Sequence, residues 1–375
     1  MPPDTNTNEK YWAEYDGLQR AKHQLLTRYL AGWFPILSSW SGRVLYLDCH
    51  AGRGRHQTGH EGSPILALRT LLDHRHRSRI LASTEVSFVF FEVNQANYDY
   101  LCREIQALGK LPDNVKIHPF HADYETEVRK IVRDLRQQKQ QLAPAFAFLD
   151  PYGFTLSMGL LNELLEFPKS ELLINFMYRY IDMALHSPSQ ASNLDLLFGC
   201  SNWRQLTKTE DYKKRTNEAI ALFSKQLKAE FVTHMYMRAQ NGALKYVLFH
   251  ATNDRKGREV IKEAMWAVTP DGSFTAFEHH NPDQLVLIEP EPDLTLLEDL
   301  LWARFAGKQV YMEEIYEWLL GQLYRKTHLH KILREYRDRG LVRFSGYTGR
   351  FAFRKNPLVD FPRERPSRVV PMKLF

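Results

Sequence analysis

Along residues 17–37 the apolar positions Leu18, Ala21, Leu25, Leu26, Tyr29, Leu30 and Trp33 recur every three to four residues. That spacing predicts an amphipathic helix leading toward the first strand, with Lys22 and His23 inside it. Short apolar runs rich in β-forming residues then alternate with helical patterns, at 43–48, 88–93, 115–118, 145–150 and 171–176, with a later run at 245–251. Strands that lack polar alternation are covered on both faces, and separated by helices they predict a parallel, doubly wound α/β sheet of Rossmann-like type. Residues 185–230 read as a helical insertion, with the polar stretch 187–190 as a loop.

The pattern changes after Glu289-Pro290-Glu291-Pro292-Asp293, where two prolines and three acids in five residues disfavour regular structure and predict a linker. Residues 1–288 are thus expected to form the first domain. Beyond the linker, 294–306, 311–320 and 326–339 read as helices, and Gly340 stops the last. Residues 341–345 and 350–354 flank the turn Gly346-Tyr347-Thr348-Gly349 as a β-hairpin. Three helices and a hairpin predict a winged-helix-like module over 294–356, with a basic tail at 357–375.

Composition narrows this picture. A chain of 375 residues is long for a single core, and 44% hydrophobic with 25% charged residues is ordinary for a folded protein. No run approaches the ~18–20 apolar residues of a bilayer span, and the start is polar rather than signal-like, so a cytoplasmic protein is expected. Cys49, Cys102 and Cys200 are odd in number and show no Cys-x-x-Cys spacing, which supports neither a disulfide framework nor a zinc site. The net charge of +6 is local: residues 321–375 carry 14 Lys and Arg against 4 Asp and Glu. On the third C-terminal helix, Leu329, Ile332, Leu333 and Tyr336 share one face, leaving Lys326, Lys331, Arg334 and Arg337 largely elsewhere. With Arg343, Arg350 and Arg354 of the hairpin they make a candidate surface for nucleic-acid phosphates, a protein partner being the alternative.

Two loops carry candidate chemistry. Val44-Leu45-Tyr46-Leu47-Asp48 runs into a small-residue turn in which Ala51, Gly52 and Gly54 allow backbone to approach a ligand closely. Glu92, at the end of another apolar run, is placed to accept from ribose hydroxyls, and Asp123 is placed to meet an adenine amino group. Glu92 lies 38 residues beyond Gly54 against the ~20 of a dinucleotide fingerprint, which disfavours a nicotinamide oxidoreductase. The second loop, Asp150-Pro151-Tyr152-Gly153-Phe154, ends the apolar strand. Asp150 and the Pro151 carbonyl suit the two hydrogens of an exocyclic amino group, and Tyr152 or Phe154 suits the face of a base. Attack by such a nitrogen on an activated methyl group needs alignment rather than a strong base. The carboxyl ends of parallel strands converge, so Asp48, Glu92, Asp123 and Asp150 are expected around one pocket. His50 and His56 lack a third ligand at suitable spacing, so no metal is expected. His74, His76, His279 and His280 read as solvated surface residues.

In combination, Lys22-His23 through Leu30 and Trp33, the loop from Tyr46 to Arg55, Gly62-Ser63-Pro64, Phe91-Glu92, Asp150 to Phe154 and Leu173-Ile174-Asn175-Phe176 resemble the three-Cys-motif partner (TcmP) family, over most of residues 10–355. The N-terminal half is also similar to the large-subunit ribosomal RNA adenine methyltransferase J family. It departs from that family's Asp-Pro-Pro-Tyr by lacking the second proline, which leaves the acceptor base open. The resemblance implies S-adenosyl-L-methionine as cofactor, with Lys22, His23, Asp48, His50, Gly52, Ser63, Glu92 and Asp123 on its side of the pocket. It also implies a partner with a radical-enzyme-like cysteine motif. A nucleic-acid methyltransferase is therefore expected; the alternative is a methyltransferase-like scaffold that binds its partner without methyl transfer.

Overall fold

The computed structural model describes residues 12–278 and 292–364. The chain divides into two compact units, Met1–Thr269 with Ser273–Ile288, and Pro270–Gly272 with Glu289–Phe375. Most of the expected linker, and His279 and His280, lie outside the described residues.

In the first unit the elements run α1 (Gly17–Ser38), β1 (Arg43–Asp48), α2 (Ser63–Leu72), α3 (Arg77–Leu81), β2 (Glu85–Glu92), α4 (Gln95–Ala107), β3 (Val115–His121), α5 (Tyr124–Gln137) and β4 (Ala145–Leu149). They continue with α6 (Met158–Leu165), β5 (Ser170–Phe176), α7 (Tyr178–Ala184), α8 (Ala191–Phe198), α9 (Tyr212–Gln226), β6 (Phe231–Arg238), β7 (Leu244–Thr252), α10 (Arg255–Val268) and β8 (Thr275–Phe277). The eight strands form one sheet in the order β3-β2-β1-β4-β5-β7-β6-β8. Every residue of β4 and β5 is buried, which is why neither shows polar alternation.

The sheet differs from the expected one at its far side. The strand read at 245–251 is β7, and it runs antiparallel to both β5 and β6. The strands β6 and β8 are absent from the sequence reading. In β6 only Thr233, Met235 and Met237 are buried, a period-two signal diluted by Thr and His. The switch from parallel to antiparallel depends on the short link between β6 and β7, because a hairpin reverses direction where a helical crossover does not.

Helix α1 is fixed to the sheet by a buried carboxylate. Tyr29 Oη donates to Glu171 Oε2 at 2.5 Å and Trp33 Nε1 donates to Oε1 at 3.1 Å. Burial, followed by the Glu171 charge, pushes the Tyr29 hydroxyl well above its ordinary range, so it stays protonated as the donor. Lys22 lies seven residues before Tyr29 on the same face, roughly 10 Å along the helix at ~1.5 Å per residue. Glu171 and Asn175 span four steps of β5, about 13 Å at ~3.3 Å per residue. Pinning Tyr29 at one end of the strand therefore delivers Lys22 to the other.

Pro35 sits inside α1 and offers no N–H to the Ala31 carbonyl one turn earlier. His74 Nε2 donates to that carbonyl at 3.0 Å. His74 is therefore a structural donor, not the solvated residue its sequence context suggested.

The second unit comprises α11 (Thr295–Phe305), β9 (Gln309–Tyr311), α12 (Met312–Leu320), α13 (Lys326–Asp338), β10 (Arg343–Ser345) and β11 (Leu358–Asp360). Leu297, Leu301, Ile315, Leu329, Leu333 and Val359 share its core, and Trp302 Nε1 donates to Tyr336 Oη at 3.0 Å. The expected hairpin is corrected: β10 pairs with β11, and residues 353–355 form a 3-10 turn rather than a strand. Phe351 and Phe353 turn their rings toward Phe344, whereas β11 supplies the ladder and also pairs with β9. The segment read as the beginning of a tail is therefore the central strand of a small sheet.

Candidate active site

At the carboxyl ends of β1, β2, β4 and β5 lies a cavity of about 1180 Å³. It opens where the strand order reverses beside β1, the place at which open α/β sheets leave a crevice between diverging loops. Lys22, His23, His50, Ala51, Gly52, Ser63, Glu92, Asp123, Asp150, Pro151 and Tyr152 line it.

Of the candidates, Asp48, Gly54 and Phe154 do not line the cavity. Asp48 is fully buried and ties its loop together: Ser63 and Tyr46 donate side-chain hydrogen bonds to it, and the His50 amide donates at 3.3 Å. Burial pushes its carboxyl up to about 7, against the lowering effect of these bonds. Gly54 accepts from the Gly62 amide at 2.8 Å, closing the loop onto α2. Phe154 packs against the hydrophobic core, so Tyr152 is the ring of this loop that lines the cavity.

The Gly52 turn is held from β2. Glu92 Oε2 accepts from the Gly52 amide at 2.9 Å and Oε1 from the Asn94 amide at 2.7 Å, while Ala51 donates to the Phe91 carbonyl at 2.8 Å. Burial raises the Glu92 carboxyl, and its backbone donors oppose that rise. Gly52 has φ +63°, and a Cβ there would stand 2.3 Å from the Trp12 ring. Only glycine fits this position, for backbone and space alike. Asp123 Oδ2 caps α5 by accepting from the Thr126 amide and hydroxyl, at 2.9 and 2.8 Å. Beside it His50 and Tyr124 face each other with ring centroids 4.8 Å apart. The His50 Nδ1 and Tyr124 hydroxyl are buried without hydrogen-bond partners, and both residues line the cavity. Burial lowers His50 to about 4, so its ring is neutral and retains an acceptor nitrogen.

At the other loop, Lys22 Nζ forms a buried ion pair with Asp150 Oδ2, and Asn175 Nδ2 donates to Oδ1 at 2.5 Å. Burial alone would raise the Asp150 carboxyl, but the Lys22 charge and these hydrogen bonds hold it below the usual range. Lys22, placed by resemblance on the cofactor side, thus engages the Asp150 carboxylate of the second loop. His23 takes its Nδ1 contact from Tyr15 Oη at 2.9 Å, and burial, then Lys22, keeps it neutral. His56 is also lowered to about 4, burial again leading. Among the described residues no group of His, Cys, Asp or Glu is arranged to hold a metal ion, and no helix is long and apolar enough to cross a membrane.

The sequence reading missed Tyr124, Asn175, Arg179, Tyr180 and Tyr246, which also line the cavity. Asn175 is the penultimate residue of β5 and Asp150 follows β4, so the strand-end rule reaches it. Tyr246 enters because β7 is reversed, which the apolar pattern does not reveal.

The second unit places the basic candidates on aromatic rings. Lys326 lies 4.9 Å from the Tyr316 ring centroid, Arg334 5.6 Å from Phe353 and Arg337 4.6 Å from Phe351. Lys331, Arg343, Arg350 and Arg354 are exposed.

No family model and no curated protein matches the chain. Among solved structures it is similar to protein LPL1258 from Legionella pneumophila, at 15% identity over 64% of this chain and 85% of that one, with a TM-score of 0.37. It is also similar to Trm1 from Pyrococcus horikoshii, solved with S-adenosyl-L-methionine, at 13% identity over 97% and 95%, TM-score 0.36. An O-methyltransferase from Bacillus cereus shares 11% identity over 67% and 93%, TM-score 0.34. At such identities and scores none of them assigns a function to this chain.

Proposed function

We propose that this protein transfers a methyl group from S-adenosyl-L-methionine to an exocyclic amino nitrogen of a nucleic-acid base. The observation that carries the reading is Asp150: a buried carboxylate kept ionised by Lys22 and Asn175, beside Pro151 and the cavity-lining Tyr152, in one cavity with the Gly52–Glu92 turn.

The residues present fit the cofactor. His50 Nδ1 and the Tyr124 hydroxyl are buried polar atoms that lack partners within the protein, as expected of groups that meet a polar ligand. With Ser63, Glu92 and Asp123 they would hold the adenosyl and methionyl parts. Bound, that cofactor supplies an electrophilic methyl group on a sulfonium centre. The chain's own task is alignment. A carboxylate has about four lone-pair sites, of which Lys22 and Asn175 use two, so Asp150 retains capacity for an amino N–H. Together with the Pro151 carbonyl it would orient both amino hydrogens, aiming the nitrogen lone pair out of the base plane toward the methyl group. Because Lys22 holds Asp150 ionised, the carboxylate is also ready to take the proton that the nitrogen sheds.

In this reading the second unit is a winged-helix-like module that places the nucleic acid, with Lys326, Lys331, Arg334, Arg337, Arg343, Arg350 and Arg354 on phosphates. The alternative is a scaffold of the TcmP type that binds a radical-enzyme-like partner without methyl transfer. Calorimetric titration with S-adenosyl-L-methionine and S-adenosylhomocysteine tests the cofactor, and a mass-spectrometric survey of nucleosides from cells with and without the protein tests the acceptor. Absence of cofactor binding by folded protein rejects methyl transfer. Binding without any changed nucleoside favours the scaffold.

A further inference from the structure

Among the described residues that line the cavity, one cation, Arg179, has its charge uncommitted. Lys22 is paired with Asp150, and Lys245 is paired with Glu278. Arg179, exposed on α7 at the cavity wall, makes no ion pair or hydrogen bond with any described residue. Its neighbour Tyr180 also lines the cavity and contacts Tyr152, with ring centroids 6.0 Å apart and planes inclined at 47°. Tyr152 is 41% exposed and Tyr180 half-buried, whereas Trp12, Phe91, Tyr124 and Tyr246 of the same cavity are buried. A ring pair, with Tyr152 exposed and Tyr180 half-buried, on the wall of the same cavity as an unpaired guanidinium offers one ligand both an apolar surface and an anion site. A purely aromatic or purely acidic ligand would use only half of this arrangement.

We infer that this end of the cavity takes a nucleotide rather than a bare base: the ring lies against Tyr152 and Tyr180, and Arg179 pairs with the phosphate. The inference rests on the reading of Asp150 as the acceptor-orienting group and adds the residue that recognises the backbone. A guanidinium suits this task because it stays charged and presents paired N–H donors to phosphate oxygens. With the phosphate fixed at the rim and the amino group at Asp150, the base has to leave its stack to reach the cavity, so an unpaired nucleotide is the substrate form. Arg179 is a positioning residue, not a catalytic one.

The test is titration of the full-length protein, saturated with S-adenosylhomocysteine, with the four nucleoside monophosphates and the four matching nucleosides. At least one monophosphate should bind about 10-fold tighter than its nucleoside, a typical worth for one charge-assisted contact. Arg179→Gln should erase that difference while leaving nucleoside binding unchanged, and Arg179→Lys should restore part of it. A trinucleotide that outbinds the monophosphate identifies a strand as the source of the phosphate; equal binding identifies a free nucleotide. Equal affinity of wild type for nucleotide and nucleoside, or a preference that survives Arg179→Gln, overturns the inference. So does loss of nucleotide binding upon adding S-adenosylhomocysteine, which would put the nucleotide in the cofactor half. None of these readouts requires methyl transfer, so failure of the methyltransferase reading shows separately, as absent S-adenosylhomocysteine binding or absent product.

Discussion

The loops after β1 and β4 face one cavity but are built differently. The first is held by many internal contacts: Glu92 accepts from two amides, Gly62 closes on Gly54, and Asp48 collects Ser63, Tyr46 and the His50 amide. The second is anchored at its two ends, by Asp150 in its ion pair and by Phe154 in the core, with the 41% exposed ring of Tyr152 between them. A turn that is ordered before its ligand arrives loses little entropy on binding and suits a ligand that never changes. An open ring beside a fixed carboxylate suits a substrate that must be admitted and released. Under the proposed function, the first loop would bind and the second would react, and the variants below are chosen to separate the two.

Asp150→Ala carries the largest expected effect: methyl transfer falls about 10³-fold, the scale for removing a group that acts on the reacting atoms, while cofactor affinity stays within about 3-fold. Single-turnover kinetics and calorimetry read the two quantities. Retained turnover would remove Asp150 from its role. Gly52→Val should do the converse and weaken cofactor binding by about 100-fold, because a side chain at φ +63° also strikes Trp12. If the valine variant binds normally, the first loop is not the cradle described.

Lys22→Met tests the contact that crosses between binding and reaction. Without the ammonium, burial pushes Asp150 upward, so the acidic limb of the pH–rate profile should move to higher pH and the rate at neutral pH should drop roughly 10-fold or more. An unmoved limb would mean that Lys22 only packs. The smallest effect is on stability. Asp48 is raised from 3.8 to about 7, so in the folded state it holds its proton where the unfolded chain has lost it. Its contribution is complete below about pH 4 and is lost as pH rises toward 7, on the order of a few kcal/mol. Relative to Asp48→Asn, the wild type should therefore lose several degrees of Tm between pH 4 and pH 8, measured by differential scanning calorimetry. A constant difference would contradict the assigned shift.

Much of this frame was legible in the one-dimensional pattern. The ends of α1, β1 and β5 fell within a residue or so of their readings because α1 is long and each strand is built on an unbroken apolar run, Val44 to Leu47 and Leu172 to Ile174. Asp150, Glu92 and Asp123 were placed at strand ends by the same logic. Other features were not legible for definite reasons. In the second unit the ladder partner of β10 is Leu358–Asp360, three residues too short to stand out from a tail. Phe351 and Phe353 resembled strand residues because rings that fill a core and rings that line a strand look alike in sequence. His74 gave no hint that a proline elsewhere had freed a carbonyl for it.

By itself, the sequence determined which segments are buried strands and helices and which polar residues sit where strands end, since periodicity and burial are local consequences of side-chain chemistry. Only the tertiary structure decided what those residues do to one another. Lys22 and Asp150 are 128 positions apart. Their pairing depends on Tyr29 and Trp33 fixing α1 against Glu171, a distance along a helix matched to a distance along a strand. The reversal of β7 brought Tyr246 to the same cavity. Charge and hydrogen bonding act through space at a few ångströms, and the folded chain alone sets those separations.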